Sequence, residues 1–130
     1  VIVTGDIIGE WVFERTGGVF EPKASSTLGW ENEDGRLTAG VVFDQYNGRS
    51  LCMHVALERP LYRGFLRSCF RYAFDQLGVL KVIGLVDSKN EKALRLDRHL
   101  GFIEEAKIKD AGKTGDLIIL TMTRPQCRWI

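Results

Sequence analysis

The chain of 130 residues is 45% apolar and 27% charged, enough for one closed hydrophobic core and too short for a second domain. Eighteen Lys and Arg against 17 Asp and Glu leave a net charge of +1, which gives neither nucleic acid nor an anionic membrane an electrostatic footing. Cys52, Cys69 and Cys127 are odd in number and form no CxxC pair, which argues against a disulfide framework or a zinc site and for a reducing, cytoplasmic setting.

The N-terminal VIVTGDIIGEWV has no basic leader or cleavage pattern, and no apolar run approaches the roughly 18 residues of a span. Neither signal peptide nor membrane helix is predicted, and the start at Val1 in place of Met points to processing or trimming. Ile7, Ile8, Trp11, Val12 and Arg15 then recur at helical spacing, with Thr4 or Asp6 placed to cap the helix and Gly17 and Gly18 to stop it. Val19 to Ala24 carries a proline and little periodicity. SSTLGWENE reads as a strand ending at the Asp34-Gly35 turn. Leu37, Ala39, Val41 and Phe43 alternate up to the Asn47-Gly48 turn, and Leu51, Met53, Val55 and Leu57 alternate beyond it. The result is a three-stranded antiparallel meander whose third strand spans Arg49 to Leu57.

The period changes at Pro60. A helix from Pro60 to Leu77 aligns Leu61, Phe65, Cys69 and Ala73 in one row, with Leu66, Phe70 and Phe74 beside it and Gly78 just past its end. Leu80 to Val86, LKVIGLV, is apolar at both parities, as in a strand covered on both faces with a parallel neighbour. Ser88-x-x-Glu91 has capping-box spacing and opens a second helix through Ala93, Leu96 and Leu100 to a left-handed cap at Gly101, with Phe102 packing back. Two alternating strands flank the DAGKTGD loop. The order is α-β-β-β-α-β-α-β-β, an α/β (α+β) fold with a mixed, mostly antiparallel sheet.

Few motifs carry chemistry. The GKT of Gly112 to Thr114 is no phosphate loop, because Lys107 stands where a glycine is required and no helix follows. His54 and His99 are too few and too far apart for a metal cluster. Arg63, Arg67 and Arg71 form a row opposite the apolar stripe, with Arg59 just before it. They read either as a solvated face or, at Arg59 and Arg63, as partners for a phosphate at the helix N-terminus. Gly64 in the second turn costs about 1 kcal/mol relative to alanine, tolerable where a ligand or backbone must come close. Strand parity puts Cys52, His54, Ala56 and Glu58 on one face of the third strand and Leu51, Met53, Val55 and Leu57 on the core face.

The stretch NEKALRLDRHLGF matches NxxAxxLxxxLGF, and it follows a buried strand that itself follows YAFDQLG. With the terminal GDLIILTMTRPQCRW, these residues resemble the GNAT superfamily of N-acetyltransferases, above all its ribosomal-protein-acetyltransferase-like branch, over Leu28 to Trp129. The resemblance implies that the third and fourth strands run parallel and splay into a cleft for the pantetheine arm of acetyl-coenzyme A (CoA). It implies that backbone groups of Val55, Ala56 and Leu57 hold that arm, and that the N-terminus of the Pro60 helix, with Arg59, Arg63 and Gly64, holds the pyrophosphate. Asn90 would line the cofactor side or serve only as a helix cap. The family's Q/RxxGxG/A loop survives here as RPLYRG, with Tyr62 at the first glycine. Where many relatives carry a tyrosine acid, this chain has Asp97, read as exposed, ionised and not an acid. Family members often use a carboxylate near the end of the third strand as base, which points to Glu58, with His54 in reserve. The implied activity is direct acetyl transfer from acetyl-CoA to a small-molecule or peptide amine, with a homodimer as the candidate assembly and no nucleic acid or membrane partner. The competing reading is a GNAT-like binding module.

Overall fold

The computed structural model describes residues 1–58 and 62–130. Its elements are β1 (Ile2–Val3), α1 (Asp6–Thr16), β2 (Ser26–Glu31), β3 (Leu37–Asp44), β4 (Ser50–Leu57), α2 (Arg63–Arg71), β5 (Lys81–Asp87), α3 (Glu91–Leu100), β6 (Ile103–Ile108) and β7 (Leu117–Met122). They form one sheet in the order β1-β2-β3-β4-β5-β7-β6, antiparallel at every junction except the parallel pair β4–β5. The predicted order holds, with β1 added: two residues too short to show a period, paired through Ile2 with Trp30.

The two sheet faces are covered unequally. On one, α2 and α3 bury Phe65, Leu66, Cys69, Phe70, Leu94 and Leu100 against Val41, Met53, Val82 and Leu120. On the other, α1 seats Ile8, Val12 and Phe13 on Val42 and Ala56. Glycines set this second approach: a Cβ at Gly40 would stand 2.7 Å from Val12 Cγ2, and one at Gly29 2.6 Å from Ile8 Cδ1. Each large apolar side chain sealed in this way is worth about 1.5–3 kcal/mol.

Coverage by α1 stops at β4. β5 is therefore not buried on both faces as its composition predicts: Val82, Gly84 and Val86 are buried, Ile83 is half-buried and Leu85 is exposed. Its apolar outer face looks onto open sheet rather than a helix.

Three local expectations change for stated reasons. The first helix takes no side-chain cap from Thr4 or Asp6; Gly5 is its N-cap, and the Thr4 hydroxyl donates to the Thr27 carbonyl. The α3 cap is Asn90, not Ser88, because the Ser88 hydroxyl accepts the Asp116 N–H and ties the turn to the β6–β7 loop. The long helix begins, within the described residues, at Arg63; Arg59, Pro60 and Leu61 lie outside them. It ends in a π-helical turn over Tyr72–Gln76, closed by Gly78 at φ 68°. Both Ala73 and Phe74 are buried in that turn.

Candidate active site

β4 and β5 are paired only from Ser50 to Cys52 and from Lys81 to Ile83. Past that rung the strands part, yet each stays paired on its outer side, β4 with β3 as far as Leu57 and β5 with β7 as far as Asp87. The opening is thus built into the sheet rather than frayed from it. Glu58 N–H donates to the Thr38 carbonyl, so alternation turns the backbone groups of Ala56 toward β3 and those of Val55 and Leu57 toward the opening. Side-chain parity is as expected. The register with β3 is unbroken by a bulge; Ala56 packs with α1, and Val55 and Leu57 pack with the main core.

Both strands run toward the N-terminus of α2. Its N-cap, Tyr62, makes no side-chain cap bond, so among the described residues no side chain caps the first-turn N–H groups. A Cβ at Gly64 would meet nothing within 4 Å among the described residues, so none of them accounts for that glycine. Tyr62 has a packing role, its ring 4.9 Å from that of Trp30. Arg63 lies over the Trp129 ring and Arg67 Nε donates to the Trp129 carbonyl, so these arginines hold the C-terminal segment as well as facing solvent. Arg59 falls outside the described residues. Asn90 Oδ1 accepts the Ala93 N–H, which commits that oxygen to the cap.

The face bearing His54 and Glu58 is more differentiated than parity alone reveals. Glu58 sits at the strand end between two guanidinium groups, Arg36 at 3.0 Å and Arg15 at 3.4 Å. His54 packs its ring 4.9 Å from Phe13 and places Nε2 2.9 Å from Asp44 Oδ1, both side chains largely covered. Asp44 was not singled out in the sequence; its signal is its parity opposite the Val41 and Phe43 core face, which becomes useful only once the pairing of Asp44 with Cys52 is known. Burial, and secondarily the Asp44 charge, push the Cys52 thiol up to about 11, and burial raises Cys69 further. Neither is a ready nucleophile. Asp44, Tyr46, Cys52, His54, Ile83 and Leu85 contribute to a hollow of about 620 Å³ on this face.

Asp97 corrects the sequence expectation. It is half-buried, not exposed, with Oδ2 2.8 Å from where a Cβ on Gly84 would stand, just past the last β4–β5 rung. Burial raises its carboxyl to about 7 against a small opposing pull from His54, so a large fraction is protonated at neutral pH. The helical register of α3 and the bare glycine opposite admit this carboxyl to the core side of the sheet.

The GKT segment is a hairpin loop. It wraps the Asp87 carboxylate, which accepts N–H groups from Thr114, Lys89 and Gly115 and is held down at about 2, chiefly by Thr114. Among the described residues no cluster of three or more His, Cys, Asp or Glu could hold a metal ion, and no helix is long and apolar enough to cross a membrane.

No protein-family model and no curated protein sequence matches the chain. Solved structures do. Mutant forms of the spermidine/spermine N-acetyltransferase from Vibrio cholerae superpose with a TM-score of 0.75 over 96% of this chain and 95% of that one, at 16% identity. The Vibrio cholerae spermidine N-acetyltransferase in complex with CoA and spermine gives 0.67 over 90% and 74%, at 19% identity. A ribosomal-protein-S5-alanine acetyltransferase from Vibrio fischeri gives 0.65 over 83% and 65%, at 13% identity. At these identities the likeness is one of fold: the chain has the GNAT fold of these N-acetyltransferases.

Proposed function

We propose that this GNAT-fold chain is an N-acetyltransferase that moves an acetyl group from acetyl-CoA directly to an amine. The observation that carries the reading is the parting of β4 from β5 while both stay paired outside, leading to the uncapped, glycine-bearing N-terminus of α2. The Val55–Leu57 segment, with Val55 and Leu57 turned to the opening, would hold the pantetheine arm. The first-turn N–H groups of α2 with Gly64 and Arg63, and Arg59 beyond the described residues, would meet the phosphates. Asn90 would stand on the cofactor side as the α3 cap.

The chemistry asks for a base, a polarised carbonyl and a proton for the leaving sulfur. His54, oriented by Asp44, suits the base better than Glu58, whose two carboxylate oxygens are engaged by Arg15 and Arg36. A β4 backbone N–H would polarise the thioester carbonyl. Asp97, half protonated near neutral pH beside Gly84, would return a proton to the thiolate.

Thermal melting with acetyl-CoA, CoA and ATP tests the reading, since a ligand of the folded state at about 100 times its Kd adds about 2.7 kcal/mol. Acetyl-CoA and CoA are expected to raise Tm more than ATP, and a folded Gly64→Glu variant, whose carboxylate would occupy the open space, is expected to lose the shift. Absence of any shift in the unaltered protein would leave a GNAT-fold binding module. A shift retained by Gly64→Glu would move the cofactor away from α2.

A further inference from the structure

We propose that the hollow over Asp44, His54 and Leu85 is an acceptor site for a primary amine with one positive charge next to an apolar group. The proposal rests on the transferase reading and adds to it the place and the chemical class of the acceptor.

Place comes first. Cys52 and Ile83 form the last rung of the parallel pair, and both line the hollow together with His54 and Leu85, the next residues of the same parity on each strand. The hollow therefore straddles the point where the strands part, on the face opposite α2 and α3. An amine seated there would reach a thioester in the opening without crossing the sheet.

The lining sets the class. Asp44 is the carboxylate bordering the hollow and Ile83 with Leu85 is its apolar wall, Leu85 being 46% exposed. The charged groups that face this region from neighbouring elements are paired: Lys81 of β5 with Glu105 of β6, whose carboxylate also accepts from Thr121. One carboxylate compensates one ammonium. The rest of the lining, Gln45, Tyr46, Asn47 and Ser50, is polar but uncharged, so a polyamine's further cations would meet no second carboxylate there. Basicity points the same way: an α-ammonium has a reference pKa of about 7.7–8.0 and an alkylammonium about 10.4, so at neutral pH the free-amine fraction of the former is larger by about two to three orders of magnitude. An amino-acid amide combines single charge, low basicity and an apolar side chain, whereas a free amino acid would bring its own carboxylate against Asp44.

The proton path balances. In the proposed path the neutral His54 ring donates its Nε2–H to the Asp44 carboxylate, which leaves the Nδ1 lone pair to take a proton. Nδ1 takes one proton from the ammonium; the amine nitrogen bonds to the acyl carbon and gives up a second proton, which goes to the sulfur as the C–S bond breaks and the sulfur leaves with the electron pair. The products are an amide, the free thiol and one proton passed from His54 to water.

The test is calorimetric titration of leucine amide, leucine and spermidine into the intact chain with CoA present, in unaltered protein, Asp44→Asn and Leu85→Glu. Acetyl-CoA thermal shifts are read on the same samples. Leucine amide is expected to bind most tightly of the three, and Asp44→Asn to weaken it at least tenfold while keeping the acetyl-CoA shift. Leu85→Glu alters an exposed side chain and puts a second carboxylate in the hollow, so it is expected to turn the preference toward spermidine; it decides the matter if Asp44→Asn does not fold. Unchanged leucine amide affinity in Asp44→Asn, or a preference for spermidine in the unaltered protein, overturns the proposal. Loss of every acetyl-CoA shift with Asp44-dependent amine binding intact would instead overturn the transferase reading and retain the amine site.

Discussion

Asp97 is held in the folded protein at a cost that a neutral isostere would remove. Its carboxyl titrates near 7 when folded and near 3.8 when unfolded, so between those values the native state binds the extra proton and stability falls as pH rises. Below about 4 both states are protonated and there is no penalty. Above about 7 the penalty is complete, on the order of 4 kcal/mol for roughly three pKa units. Asp97→Asn is expected to be much more stable than the unaltered protein at pH 8 and nearly equal to it at pH 3.5, read from urea midpoints at the two pH values; equal gains at both would return Asp97 to solvent. Groups shifted in this way cluster at functional sites. Nothing in the sequence separates a buried aspartate on α3 from an exposed one, because the deciding feature is Gly84 on another element. The parity of His54 and Glu58 was legible, since alternation is local, whereas their difference depends on Asp44, Arg15 and Arg36, brought in by register and by α1. Acetyl-CoA-dependent rates against pH will separate the two: His54→Gln is expected to lose the acidic limb and about two to four orders of magnitude, and Glu58→Gln less than tenfold. The reverse result would restore Glu58 as base.

Among the elements, the turn that joins β5 to α3 is fastened by side chains that composition alone would assign to solvent. Asp87 accepts three backbone N–H groups and the Thr114 hydroxyl, and Ser88 accepts the Asp116 N–H, so the β6–β7 loop is clamped over the entry to α3. The depressed Asp87 carboxyl means that its contribution is present above pH 4 and is lost as pH falls toward 2. Asp87→Ala is expected to speed amide exchange at Thr114 and Gly115 at pH 7 while leaving exchange in β3 unchanged. Unaltered exchange at Thr114 would show that the loop holds its shape without the carboxylate. The meander was legible because Asp34-Gly35 and Asn47-Gly48 are strong turn signals and both intervening strands alternate. The π turn after Arg71 was not, because its i to i+5 bonds leave the apolar spacing close to that of an α-helix. The open face of β5 was missed for a related reason: apolar residues at both parities say that a strand can be covered twice, and whether a helix reaches that far depends on where α1 lies.

For the whole molecule, the sheet separates two packed clusters that share no buried side chain among the described residues, one under α2 and α3 and one under α1. Ile8 belongs to the α1 cluster and Leu120 to the other, each 1% exposed or less. Ile8→Val is expected to cost about 0.5–1.5 kcal/mol and Leu120→Ala about 2–5. The two sites lie on opposite faces with no common partner, so the double variant is expected to lose their sum within about 0.5 kcal/mol in urea unfolding. A coupling beyond about 1 kcal/mol would mean that the sheet transmits repacking from one face to the other. The division also predicts how ligands respond. His54 leans on Phe13, and Phe13 packs in the Ile8 cluster, whereas the α2 N-terminus belongs to the far side. Loosening α1 through Ile8→Val should therefore weaken amine binding at Asp44 and His54 while the acetyl-CoA thermal shift stays as it was. Equal loss of both would make the two faces one cooperative site, and the independence of the amine hollow from the N-terminus of α2 would fail.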